Sequence, residues 1–393
     1  MSLAIGVIGT GANPDDPDQD GYAMAYRHAS GYERLEECEL IACADIVPEN
    51  AQAFASEFDV SNVYEDYETM LAELDLDILS VCVPPGVHAE VVRGAAETGV
   101  PEAIHCEKPM ATTWADCKAM VTTCQAEDVA LTINHQLRFG SPVRKAKKLL
   151  DGGRIGDLER LELAAEHLYD TGTHLFDVCG YLTDQEPVDW VLGQVDYREE
   201  NVWFDTPNAT QGLAQWRYET GVDGLAATGE SQPLVDAKLR IVGTEGVVEV
   251  GAEDGPALRV RDATTTGWQS VDTDGEGVYG PRRTRVTGAL QKLAGLVPGL
   301  DEQRVLPPSQ TDRAIEDVVC AVREDGHSEL QAEHALQTTE LIFAAWESAR
   351  RRGRVGLPLE IEDNPLEAMI DNGAFAAGGE KQRRQTATSS VRQ

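Results

Sequence analysis

Leu3-Ala4-Ile5-Gly6-Val7-Ile8-Gly9-Thr10-Gly11 is the stretch on which the fold turns. An apolar run without polar alternation reads as a strand buried on both faces. This one leads directly into a glycine pair. Glycines at such a turn let the backbone approach a pyrophosphate, and a following helix offers unpaired N–H groups and the positive end of its dipole. Gly-x-Gly alone is a weak signal. Its weight here comes from the helical pattern after it and from Asp45, which ends the second apolar run.

Outward from that turn, apolar runs recur at 39 to 45, 77 to 83, 103 to 107 and 129 to 134. Helix-length amphipathic stretches separate them at about 21 to 35, 48 to 58, 66 to 73, 86 to 98 and 112 to 126. Buried strands alternating with helices predict a parallel sheet covered on both faces, a doubly wound α/β domain of the Rossmann type over residues 1 to 134. Gly9, Thr10 and Gly11 are the expected phosphate-binding turn. The usual third glycine falls on Pro14, and the acidic insertion Asn13 to Asp20 separates the turn from Gly21. Gly21 is therefore taken to open the helix, because counting from it to Asp45 restores roughly the 20-residue interval expected for a ribose-binding acid. The carboxylates of the insertion would repel a pyrophosphate, so the insertion is expected to loop outward. Asp45 can accept from a ribose diol and would repel a 2′-phosphate, while Ile46 brings no compensating cation, so NAD(H) is favoured over NADP(H).

Beyond residue 135 the texture changes. A helix is expected at 141 to 151, a strand at 158 to 167 and a helix at 172 to 183, followed by strands with polar alternation such as AKLRIVG and GVVEVG joined at GTEG (243 to 246). Short turns between alternating strands predict a large, mostly antiparallel open sheet in an α+β domain spanning 135 to 372. Two late helices are expected at 309 to 324 and 330 to 351. The polar stretch 373 to 393 has no apolar period and is expected to be disordered.

Composition narrows the partners. The 33 basic residues face 68 acidic ones in 393, a net charge of −35. Nucleic acid and anionic membranes are poor partners for such a surface. Acid excess with few lysines resembles proteins of salt-loving archaea, in which concentrated salt screens self-repulsion. Eight cysteines form no C-x-x-C pair, which suits free thiols in a reducing compartment. The N-terminal MSLAIGVIG has no basic segment before its apolar run, and no apolar stretch reaches membrane-spanning length. A cytoplasmic protein is expected.

Two further clusters carry chemistry. Cys106-Glu107-Lys108-Pro109 follows the fifth apolar run, and Asp170-Thr171-Gly172-Thr173-His174-Leu175-Phe176-Asp177 opens a helix in the second domain. With these in place the sequence resembles the Gfo/Idh/MocA oxidoreductases, in which a glycine turn, an E-K-P motif and a D-x-x-x-H-x-x-D helix start occur in this order. The resemblance covers residues 3 to 358. It implies a sugar or polyol dehydrogenase using NAD, with Lys108 and His174 acting on the substrate and Asp170 supporting them.

The chemistry is coherent. Oxidising an alcohol requires removal of the hydroxyl proton as hydride leaves the same carbon. An imidazole titrating near neutrality can take that proton, and an ammonium can stabilise the developing alkoxide. Asp177 either binds a substrate hydroxyl or pairs locally. A metal held by Asp170, His174 and Asp177 is the weaker reading, because a lysine and a hydride acceptor make it unnecessary.

The resemblance also implies that Pro84, Pro85, His88, Glu107, Lys108 and Pro109 line the cofactor, and that Asn134, His135 and Arg138 reach the substrate side. His88 is equally read as a helix-start cap, and Arg138 as a partner for surface acids. Between Gly156 and Asp170 the segment is shorter than in many relatives, so substrate identity does not carry over. Two other readings remain: a cofactor-binding sensor without turnover, and an enzyme holding NAD tightly through a cycle without net redox. A homodimer or homotetramer built on the open sheet is expected from the relatives.

Overall fold

The computed structural model describes residues 2–14, 24–198, 201–264, 266–281 and 307–375. It divides into two compact units. The first comprises residues 1–111, 116–145 and 272–336, and the second 112–115, 146–271 and 337–393.

In the first unit, six strands form one wholly parallel sheet: β1 (Leu3–Ile8), β2 (Cys38–Ala44), β3 (Asn62–Tyr64), β4 (Ile78–Val81), β5 (Ala103–Cys106) and β6 (Ala130–Ile133). Their order is β3-β2-β1-β4-β5-β6. This is the doubly wound order that reverses between β1 and β4, and such sheets bind ligands outside the carboxyl ends of the strands at that reversal. The crossover helices are α1 (Met24–Glu33), α2 (Pro48–Glu57), α3 (Tyr67–Glu73), α4 (Pro85–Glu97) and α5 (Trp114–Ala126). Strand β3 was not expected from the sequence. Its three residues form no apolar run, and it exists because Asn62, Val63 and Tyr64 complete the ladder of Ala42, Cys43 and Ala44.

The first residue after each central strand is still tied to a neighbour. Gly9 N–H donates to the Ala44 carbonyl, Cys82 to Ile8, Glu107 to Val81 and Asn134 to Cys106. These bonds fix the register of the loops that start there. The sheet's other end is closed by a distant segment. Ile315, Val318 and Val319 of α8 (Gln310–Arg323) pack in one cluster with Ile5, Tyr32, Ile78 and Ala103. A Cβ on Gly31 would stand 3.0 Å from Ile315. The unit is thus discontinuous in sequence, unlike the linear division at residue 134. The apolar face of α8 finds its complement on β1 and α1 rather than beside its sequence neighbours.

After α6 (Ser141–Asp151), the second unit is built on nine strands: β7 (Leu158–Ala165), β8 (Val188–Asp196), β11 (Gln211–Tyr218), β12 (Asp223–Gly229), β13 (Ala237–Gly243), β14 (Gly246–Ala252), β15 (Leu258–Asp262), β16 (Gln269–Ser270) and β19 (Val355–Gly356). The numbers between belong to two small ribbons, β9 (Val202–Trp203) with β10 (Thr206–Pro207) and β17 (Glu276–Gly277) with β18 (Gly280–Pro281). The sheet order is β16-β15-β14-β13-β7-β12-β11-β8-β19, antiparallel except for the parallel pair of β7 and β12. The expected hairpin at GTEG joins β13 to β14.

Among the described residues, helices α7 (Gly172–Leu182), α9 (Ala332–Arg351) and α10 (Pro365–Asp371) follow. Tyr169, Phe343 and Trp346 form an aromatic cluster, with the Trp346 ring 5.6 Å from Tyr169 and 5.2 Å from Phe343. Gly193 on β8 lies against the helix backbone: a Cβ there would meet the Ala345 carbonyl at 2.4 Å. Its N–H instead donates to Ser348 Oγ at 2.8 Å.

On β7, β13, β14 and β15, four charged side chains sit directly opposite one another in register. Glu162 faces Arg240, Arg240 faces Glu249 and Glu249 faces Arg259. Arg240 reaches Glu162 at 3.1 Å and Glu249 at 2.8 Å, and Arg259 reaches Glu249 at 2.5 Å. Cross-strand opposition places the charges, and burial of the carboxylates raises what each contact matters. Glu249 is 1% exposed.

Candidate active site

In the first unit the site is assembled at the carboxyl ends of the parallel strands. Gly9 and Gly11 take φ of +80° and +64°, left-handed values that a side chain disfavours. A Cβ on Gly9 would also stand 2.6 Å from Val83 Cγ1 and 2.9 Å from the Val83 nitrogen. The turn therefore requires glycine both by conformation and by space. Thr10 is buried, and its hydroxyl donates to Asp45 Oδ2 at 3.0 Å, so it braces the turn.

Asp45 Oδ2 also accepts from Gly11 N–H at 2.9 Å, and Oδ1 accepts from Val47 N–H at 2.8 Å. A carboxylate has about four acceptor positions. Three are taken within the turn, which leaves the anion fixed in place with room for an incoming hydroxyl. Ile46, beside it, is 90% exposed, an apolar surface at the rim of the same turn. These groups fit a dinucleotide: a glycine turn without side chains for phosphates, an oriented acid for a ribose and an apolar neighbour for a base.

Gly21 lies outside the described residues. Helix α1 includes the fully buried Ala25, packed with Val7 and Cys43. Ala25 is about 20 residues before Asp45, so a small residue for close helix–strand packing stands at the customary interval.

The E-K-P segment follows β5. Its Lys108–Pro109 bond is cis. Lys108 is half-buried, while Glu107 is buried. Glu107 Oε1 accepts from His28 Nε2 at 2.9 Å and from Asn134 Nδ2 at 2.6 Å. Burial pushes the Glu107 pKa up, but the hydrogen bond and charge of His28, the Asn134 amide and the Lys108 ammonium outweigh it and hold it at about 2. His28 was missed in the sequence because a histidine inside a helix carries no motif. Its spacing from Glu107 is long, and only the sheet brings them together.

Most of the neighbouring expected residues are buried. His88 is fully buried. Its Nδ1 lies 2.9 Å from the Pro109 carbonyl and its Nε2 2.8 Å from that of Val83, so it ties the α4 entrance to the E-K-P loop. A neutral ring donates on one side only, and burial lowers the His88 pKa against the pull of those carbonyls. Pro84 is exposed and Pro85 is buried in the first turn of α4. Asn134, His135 and Arg138 are each at most 1% exposed. Asn134 holds Glu107, and Arg138 Nη1 donates to the Glu329 carbonyl.

In the second unit, Asp170 stands just before α7 and His174 in its first turn. Asp170 therefore lies outside the helix rather than one turn earlier within it. Its Oδ2 is 3.7 Å from Nδ1 of His167, a histidine that the sequence reading passed over. Thr171 Oγ1 accepts from the His167 N–H at 2.9 Å, and a Cβ on Gly172 would meet the His167 carbonyl at 2.5 Å. The turn thus folds back on the helix start, and glycine permits it. His174 is 9% exposed and Asp177 1%.

Comparison with known proteins follows this geometry. Residues 3–135 match the GFO_IDH_MocA model, described as an oxidoreductase family with an NAD-binding Rossmann fold. Residues 160–357 match the C-terminal alpha/beta domain of the same family. The chain is 40% identical over 121 residues to 2,7-anhydro-N-acetylneuraminate hydratase of Mediterraneibacter gnavus, a match spanning 31% of this chain and 31% of that protein. It is 22% identical over 294 residues to inositol 2-dehydrogenase of Rhizobium meliloti, covering 68% of this chain and 81% of that one. An Agrobacterium radiobacter oxidoreductase solved with NAD+, L-tartaric acid and magnesium shares the fold, with a TM-score of 0.69 and 18% identity over 91% of this chain and 98% of that one. With both of its halves matched in order, the chain belongs to the Gfo/Idh/MocA oxidoreductase family, whose N-terminal domain binds NAD.

Proposed function

We propose that this protein is an NAD-dependent dehydrogenase or reductase acting on a sugar, cyclic polyol or related small hydroxy or keto compound. The observation that carries the reading is Lys108, next in the chain to an anchored Glu107 at the carboxyl end of β5 in a sheet whose β1 turn fits a dinucleotide. Bound nicotinamide supplies the hydride acceptor. His174 takes the hydroxyl proton as general base, Lys108 stabilises the alkoxide and Asp170 supports the base. Inositol 2-dehydrogenase among the relatives favours polyols. The test is turnover of a panel that includes myo-inositol, with NADH formation followed at 3 M KCl and NADH binding followed by fluorescence. Binding without turnover of any polyol, aldose or keto acid would sink the redox reading.

The hydratase name of the 40% identical relative favours a second reading, in which NAD stays bound through a cycle without net redox. Nucleotide released only on denaturation, together with product formed at constant NADH, would select it.

Asp45 sets the preference for NAD(H) over NADP(H). Replacing it, as Asp45→Ser, removes a charged acceptor. It is expected to weaken NADH binding by about 10- to 100-fold, the equivalent of about 1.5–3 kcal/mol for a charged hydrogen bond, while weakening NADPH binding much less. Equal losses for both nucleotides would remove Asp45 from the ribose site.

The finer expectations are part of the same proposal: a haloarchaeal source, a cytoplasmic location and a homodimer or homotetramer. The net charge of −35 supports the first. The apparent melting temperature is expected to rise steadily between 0.1 and 3 M KCl, because screening at 1 M already shortens the Debye length to about 3 Å. A melting temperature that is flat or falls over that range argues against adaptation to salt.

A further inference from the structure

His28 has no task in that mechanism, although it hydrogen-bonds the E-K-P glutamate at 2.9 Å. His28 lies on α1 and is fully buried. Its Nδ1 is 3.0 Å from Ser80 Oγ on β4, which is itself 3.1 Å from the Tyr32 hydroxyl, and its Nε2 is 2.9 Å from Glu107. A carboxylate only accepts, so Nε2 carries its proton toward Glu107. On the other side of the loop, His88 of α4 holds the carbonyl of Pro109 at 2.9 Å. Lys108 is the one residue between these two anchors. Its neighbours on both sides are gripped by buried imidazoles from different helices.

We propose that His28 is a positioning residue for Lys108: it fixes the buried Glu107 carboxylate that precedes the lysine in the E-K-P loop, so that the loop holds the ammonium in place. The proposal rests on the reading of Lys108 as the group that acts on substrate. The groups facing Glu107 are His28, Asn134 and Lys108, with the Cys82 and Cys106 thiols and His105 close by. Burial pulls the His105 pKa down to about 3, aided by the charge of His28, so His105 is neutral and donates no charge to the pair. Its Nδ1 is engaged with Thr132 Oγ1 at 2.8 Å, and its ring lies 5.0 Å from that of His28. Besides Asn134, no other described side chain hydrogen-bonds the Glu107 carboxylate as His28 does. Without His28 the buried carboxyl takes up a proton, and the loop loses that anchor.

The test does not depend on knowing the substrate. Full-length protein is acetylated with limiting acetic anhydride at pH 7, and Lys108 labelling is read by peptide mass spectrometry against Lys148, which is exposed. Glu107→Gln and His28→Ala are both expected to raise relative labelling of Lys108 at least threefold, because a lysine on a loop that has lost its anchor is more open to the reagent. His28→Gln, which keeps a donor, is expected to recover part of the wild-type protection. With myo-inositol and NAD, His28→Ala is expected to lower kcat at least tenfold with KM and NADH affinity changed less than threefold.

Should His28→Ala fail to fold, Ser80→Ala removes the second hydrogen bond on the ring and is expected to raise Lys108 labelling about twofold. Folded variants whose Lys108 labelling equals that of the wild type overturn the proposal, whatever happens to turnover. If labelling rises as expected while Lys108→Ala keeps full turnover, the catalytic reading fails and the His28 assignment stands.

Discussion

His174→Ala is expected to lower kcat by about 10²–10⁴-fold, the range that general acid–base catalysis supplies, while leaving NADH affinity within about threefold. Lys108→Ala is expected to behave similarly, because an alkoxide left without a donor loses stabilisation present only in the transition state. Nucleotide binding should survive in both. The dinucleotide turn is braced by Thr10, Asp45 and the bond from Gly9 to Ala44, none of which involves either residue. The measurement is kcat, KM and NADH dissociation constant for each variant beside the wild type. If turnover survives both replacements, the site assignment is wrong although the family and fold remain.

The second large effect concerns stability. Glu249 is nearly inaccessible and stands between Arg240 and Arg259, each about one-fifth exposed. Glu249→Ala leaves two guanidiniums facing each other across β14 with no anion between them. Removing one partner of a buried ion pair typically costs about 3–5 kcal/mol. The partial exposure of both arginines argues for the lower half of that range. Denaturant unfolding at 0.5 M KCl reads the loss, with the exposed Glu159→Ala as a control expected to change little. The deficit should shrink at 3 M KCl, where screening weakens the repulsion between the arginines. A loss below about 1 kcal/mol would mean that the ladder is solvated like any surface pair.

The helices and five of the six strands of the first unit's parallel sheet were legible because their signals are local. Apolar runs such as DILSVCV need a sheet covered on both faces, and the periodic stretches between them need to lie on it. Asp66 and Ser309 show the same locality at helix starts: each accepts from the backbone N–H three residues on, at 2.7 and 3.1 Å. What was not legible had no local signal. Strand β3 is held by its partner rather than by its composition, and α8 belongs to the first unit because of what Ile315 and Val318 touch. In the site, Gly9, Gly11 and Asp45 were readable because the chemistry of a dinucleotide constrains residue type and spacing together. The burial of Asn134, His135 and Arg138 was not legible, because sequence position says where a loop begins and not which way a side chain turns.

By itself the sequence determined the class of sheet, the glycine turn after its first strand and the residue types able to move a proton and steady an alkoxide. These follow from periodicity, backbone permissiveness and pKa, which are properties of short segments. Only the tertiary structure decided that His28 meets Glu107, that His88 grips the loop on the other side of Lys108 and that four charges line up across β7, β13, β14 and β15. Those pairings join residues far apart in the chain. They arise from strand order and register, which the whole core selects at once, and so no short stretch of sequence could announce them.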